Sequence, residues 1–131
     1  MKKYKRGITF GAYEIFHQGH FNLLKRASAQ CEKLTVCISS DEYIEEIKGH
    51  KSVIRFELRQ EIIFSMPFVD DVASQDLNFG KREAVKFFKP DVIFVGDDWN
   101  ERTFKGEGLG IPVIYLPRTK GISSTLLRKK L

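Results

Sequence analysis

Short apolar runs rich in β-branched residues alternate with helix-patterned stretches along the chain, and that alternation restricts the fold more than any other feature. "KRGITFGAY" reads as a strand ending at Gly11, and "HFNLLKRASAQ" as a helix with Phe21, Leu24 and Ala27 on one face. "KLTVCIS" is a continuous apolar run of the kind buried on both sides of a sheet. "SDEYIEEI" opens a helix with a Ser/Asp cap and first-turn acids, and "RFELRQEIIFSM" is a helix stopped by Pro67. "VDDVAS" is a short strand, "KREAVKFFK" a helix ended by Pro90, and "DVIFVG" and "PVIYL" are two more strands. "SSTLLRKKL" closes the chain as a short helix. Strand and helix in strict turn imply an α/β fold: a single Rossmann-like domain over residues 1–131, a parallel sheet with helices on both faces.

At 131 residues and 42% hydrophobic content, such a domain buries a sufficient core without disulfides or a structural metal. Cys31, at a helix end, and Cys37, in a strand, therefore read as apolar fillers in a reducing cytoplasm. No apolar run approaches the roughly 20 residues of a membrane span, and the basic start lacks the apolar segment of a signal peptide. The net charge is +5, and the last fifteen residues carry five positive charges and no acid. No aromatic residue is interleaved with those charges, which disfavours stacking on nucleic-acid bases and leaves a polyphosphate ligand as the better partner.

In parallel α/β sheets, ligands collect beyond the carboxyl ends of the strands. Three unusual stretches fall there: "GAYEIFHQGH", "GDDW" and "PRTKGISST". In the first, His17 and His20 flank Gly19 where a loop becomes a helix. With His20 opening that helix, two imidazoles and free backbone N–H groups face an anion. The alternative is that both rings only cap the helix. Zinc is disfavoured, since the one other histidine, His50, lies in a loop and no cysteine is near. In the last stretch, Arg118, Lys120, Gly121 and the hydroxyls of Ser123, Ser124 and Thr125 suit a polyphosphate, or form an N-cap run. "GDDW" offers two carboxylates beside the single tryptophan, for a cation, base or sugar, or else a solvated turn. "KGHK" supplies Lys48 and Lys51, cations able to close over a phosphate or simply be solvated.

Taken in order, these motifs resemble the cytidylyltransferase family of the HxGH nucleotidyltransferases, from Ile8 to the C-terminus, with closest likeness to its bacterial glycerol-3-phosphate branch. The resemblance implies attack of a phosphorylated alcohol on the α-phosphorus of CTP, giving a CDP-alcohol and pyrophosphate. It places His17, His20, Lys48, Lys51 and Arg118 in catalysis. It places Thr9, Phe10, Gly11, Ala12, Glu14, Asp98, Gly121, Ile122, Ser123, Ser124 and Thr125 with the histidines and Arg118 at the nucleotide. Arg59, Trp99 and Lys51 fall at the acceptor. It also implies magnesium accompanying CTP, with no protein metal site, a cytoplasmic homodimer, no nucleic-acid or membrane partner, and a product used for a cell-surface polymer or lipid.

The chain departs from the family pattern in places. Ala12-Tyr13-Glu14 stands for the family's Thr-Phe-Asp. Pro67 stands where relatives carry arginine, and an acceptor-side tryptophan has no counterpart unless Phe79 substitutes. The acceptor-side departures leave CTP better supported than any particular alcohol. The alternatives are an ATP-using adenylyltransferase and a nucleotide-binding module without turnover.

Overall fold

The computed structural model describes residues 2–96 and 109–117. Its elements run β1 (Tyr4–Gly11), α1 (Gln18–Gln30), β2 (Cys31–Ser39), α2 (Asp41–Lys48), α3 (Phe56–Phe64), β3 (Asp71–Gln75), α4 (Lys81–Phe88), β4 (Val92–Gly96) and β5 (Val113–Leu116). The five strands form one sheet in the order β3-β2-β1-β4-β5, and every neighbouring pair is parallel.

Alternation along the central strands creates two cores. Val36, Ile38, Val92 and Phe94 face Leu24 and Ala27 of α1 and Ile63 of α3. Ile8, Cys37, Ile93 and Val95 face Ala84, Val85 and Phe88 of α4 on the other side. This division follows from connection handedness. From β1 the chain winds outward through β2 to β3, then returns past its start to β4 and β5. Right-handed crossovers taken in opposite directions place their helices on opposite faces. The helices therefore cover both faces, as the strand–helix alternation requires.

The reversal occurs between β1 and β4, so the connections leaving their carboxyl ends diverge and open a crevice. Polar side chains tie neighbouring strands of the sheet together. Asp91 accepts from the N–H groups of Lys5 (3.1 Å) and Arg6 (2.9 Å), and Asp70 from that of Leu34 (2.8 Å). Two boundaries differ from the sequence reading. Helix α1 begins at Gln18, with His17 as its N-cap, because His17 carries the side-chain acceptor. Cys31 is the first residue of β2, paired with Tyr4, rather than the end of a helix. Both thiols are buried and free, and burial pushes that of Cys37 up to about 12. Among the described residues, no helix is long and apolar enough to cross a membrane.

Candidate active site

The connection leaving β1 is tightly built. Gly11 is required because a Cβ there would lie 2.7 Å from the ring of Tyr13. Tyr13 adopts the left-handed region (φ 51°), uncommon for an aromatic residue, which turns its ring back over Gly11 and into the core. Its ring meets His20 edge to face at 5.0 Å, and the ring of Phe16 lies 5.6 Å from the same histidine, so His20 is held by aromatic contacts on two sides.

The two histidines complete a reciprocal cap on α1. Nδ1 of His17 accepts from the N–H of Gly19 at 3.0 Å, and Nδ1 of His20 accepts from the N–H of His17 at 3.3 Å. Their rings stack with centroids 3.8 Å apart and planes 17° from parallel. His20 thus stands at the third helical position rather than opening the helix. A ring whose Nδ1 accepts carries its proton on Nε2 when neutral, so the cap dictates the tautomer of both. Burial, then the neighbouring His17, then the Lys48 charge push His20 down to about 3, and burial also lowers His17. Both rings are therefore neutral at pH 7. Capping uses one nitrogen of each ring and leaves the other as an N–H donor at the positive end of α1.

Glu14, three residues before the cap, is 3% exposed and ties this connection to the one between α2 and α3. Its Oε1 lies 2.8 Å from Nε2 of His50, and its Oε2 lies 3.5 Å from Nζ of Lys48. Lys48 ends α2, and Gly49 reverses the chain in the left-handed region (φ 78°), bringing His50 back to the same carboxylate. Lys51 follows, exposed.

Arg59, expected at the acceptor, is 1% exposed and lies beneath these two connections. It donates through Nε to the carbonyl of Ile54 (2.8 Å) and through Nη1 to those of Ala12 (2.8 Å) and Ser39 (2.6 Å). Nη2 donates to Asp41 (2.6 Å). The residue thus joins the carboxyl ends of β1 and β2 to the start of α2 and the entry to α3, and it faces no open space.

Thr9 is likewise turned into the protein, 1% exposed, with its hydroxyl buried near that of Tyr13. Phe10 points to the opposite face, where the ammonium of Lys81 lies 5.5 Å from its ring centroid. Lys81 begins α4, half-buried, and burial lowers its pKa. It lines a cavity of about 310 Å³ with Tyr43, Gln75, Gly80, Glu83 and Leu109, beyond the carboxyl end of β3. Neither His50 nor Lys81 was singled out by sequence reasoning for a role in this site. The available signals were the "KGHK" turn and a lysine after glycine at a helix start. Pro67 is exposed, while Phe68 packs on Phe21 of α1 and Phe79 on the second core. Asp98, Trp99, Arg118, Gly121, Ile122, Ser123, Ser124 and Thr125 lie outside the described residues, as does the expected closing helix.

Comparison with known proteins matches residues 8–130 to the cytidylyltransferase-like family model. The chain is 39% identical over 127 residues to a glycerol-3-phosphate cytidylyltransferase of Staphylococcus aureus, covering 97% of this chain and 95% of that protein. Its likeness to the Bacillus subtilis protein of the same name is 35% over 127 residues, 97% of each. An FAD synthase of Thermococcus sibiricus is 31% identical over 122 residues, 88% of this chain and 82% of that protein. Among solved structures, a lipopolysaccharide core biosynthesis protein from Thermoplasma volcanium superposes with a TM-score of 0.72 at 24% identity. That match covers 88% of this chain and 97% of the other.

Proposed function

The chain belongs to the cytidylyltransferase-like family, and from that premise we propose that it transfers the cytidylyl group of CTP to the phosphate of a phosphorylated alcohol. An acceptor phosphate oxygen attacks the α-phosphorus, the bond to the bridging α–β oxygen breaks, and pyrophosphate leaves opposite the incoming oxygen. Such a step needs little from a protein beyond alignment and stabilisation of phosphoryl charge. The observation that carries the reading is the capped histidine pair. Two neutral rings with dictated tautomers place Nε2–H donors side by side at a helix N-terminus. Neutral donors suit this task because they strengthen as charge develops and need no proton removed.

Lys48 and Lys51 would add cationic charge from the facing connection. Arg118 with residues 121–125 would cradle the nucleotide, Asp98 would lie on its base or sugar side, and Trp99 near the acceptor. The cavity beside Lys81 supports an acceptor phosphate on that lysine, with hydroxyls toward Gln75 and Tyr43. A polyol phosphate such as glycerol 3-phosphate fits such polar walls better than a quaternary ammonium alcohol, which favours aromatic faces. Magnesium is proposed as an ion arriving on the phosphates of CTP. A cytoplasmic homodimer supplying a cell-surface polymer or lipid completes the proposal.

The similarity to FAD synthases supports a second reading, adenylyl transfer from ATP. Pyrophosphate release measured with CTP and ATP, each with magnesium and a panel of polyol, choline and ethanolamine phosphates, separates the two. Release with CTP and a polyol phosphate is the expected result. Release with ATP alone would replace the first reading by the second. Nucleotide binding without release from any acceptor would reduce the protein to a binding module.

A further inference from the structure

We propose that His50 is a positioning residue for nucleotidyl transfer, fixing through Glu14 the direction in which Lys48 is presented to the histidine pair. The inference rests on the functional reading above and adds a residue that it does not use. Glu14 is a carboxylate 3% exposed beside a site built to receive a polyphosphate. Unneutralised, it would be costly to bury and would repel the ligand. Among the described residues two that flank one glycine meet it, the Lys48 ammonium and the His50 ring, and each takes a different oxygen.

The two contacts are unequal. His50 is close, at 2.8 Å, while Lys48 is long, at 3.5 Å, with its side chain 45% exposed. A carboxylate turns easily about its terminal torsion, which is broad and roughly two-fold. The loosely held ammonium is therefore aimed only as well as the carboxylate plane is fixed, and the short His50 contact helps to fix that plane. An ionised Glu14 accepts, so Nε2 of His50 carries the hydrogen and the ring acts as a donor. Lys48 lies near enough to the pair for its charge to act on His20. Beneath, Arg59 already joins the two connections through Ile54 and Ala12, so the backbone does not depend on His50 for its course.

The decisive experiment is a double-mutant cycle with Lys48→Ala, His50→Ala and the pair, reading kcat and KM for CTP together with the melting temperature. Acting through Lys48, His50→Ala should lower kcat about 10-fold and Lys48→Ala about 100-fold, and the double variant should be no slower than Lys48→Ala alone. His50→Gln, which keeps an N–H donor, should recover most of the kcat lost in His50→Ala. Losses that multiply in the double variant, or an unchanged kcat in His50→Ala, would overturn the proposal. A wild-type chain with no turnover on any acceptor would sink the enzymatic reading instead. The same cycle is then read on affinity for inorganic tripolyphosphate, where non-additive losses support the positioning role and multiplicative losses reject it. Absence of tripolyphosphate binding would overturn both.

Discussion

In the proposed reaction His17 serves fold and chemistry through different atoms. Its Nδ1 takes the Gly19 N–H and caps α1, while the proposed phosphate donor is Nε2. The roles are separable by substitution. Asparagine is among the best N-caps, so His17→Asn should keep the helix start, with stability changed by less than about 0.5 kcal/mol. It lacks the outward donor, so turnover should fall about 10²–10³-fold. Urea unfolding and pyrophosphate release on the same sample decide it, and full activity in His17→Asn would reduce His17 to a cap. His20 makes a second prediction at this scale. Its folded pKa, about 3, lies below the ordinary 6.5, so between these values the unfolded chain binds more protons than the folded one. Stability contributed by its neutral form is complete above pH 6.5 and is lost as pH falls. The loss from this group is about 2 kcal/mol at pH 5. His20→Gln keeps a side chain able to reach the cap N–H but does not titrate. Its urea midpoint should therefore fall less than that of the wild type between pH 7.5 and 5. Parallel curves would remove the assignment.

Among the elements, the connections at the carboxyl ends of β1 and β2 matter most, and Arg59 joins them. Lysine there keeps the charge but has neither the planar fork nor the reach to serve three carbonyls and Asp41 together. Arg59→Lys should destabilise the protein by about 3 kcal/mol, measured by denaturant unfolding. The folded fraction should keep its KM for the acceptor within about 3-fold. A KM raised tenfold or more at unchanged stability would return Arg59 to the acceptor. That this side chain points inward was not legible beforehand. Helix α3 carries Phe56, Leu58, Ile62, Ile63 and Phe64 around most of its circumference, so no polar stripe marks which face is buried. The strands were legible for the opposite reason: "KLTVCIS" and "DVIFVG" have β-branched residues on both faces, as only an interior strand does. The histidine cluster stood out because its partners are local, two and three residues apart. The pairing of His50 with Glu14 spans 36 residues and is created by the sheet topology, which no local pattern carries.

At the scale of the molecule, the question is which nucleotide the proposed site takes, since relatives named glycerol-3-phosphate cytidylyltransferase and FAD synthase are both similar to this chain. Linkage between binding and folding answers it without requiring the acceptor. A ligand that binds only the folded state at 100 times its Kd adds about 2.7 kcal/mol of stability. With an unfolding entropy of about 2.1 cal/mol/K per residue, that raises the melting temperature of a chain of 131 residues by about 10 °C. CTP with magnesium should produce a shift of this size, and ATP at the same concentration a clearly smaller one. A larger shift with ATP would favour adenylyl transfer. The measurement also tests where the histidines act. If the Nε2–H donors matter mainly as charge grows on the phosphates, His20→Gln should keep most of the CTP shift while losing turnover. If the shift disappears with the activity, the pair binds the triphosphate in the ground state, and the loss belongs to affinity rather than to the chemical step.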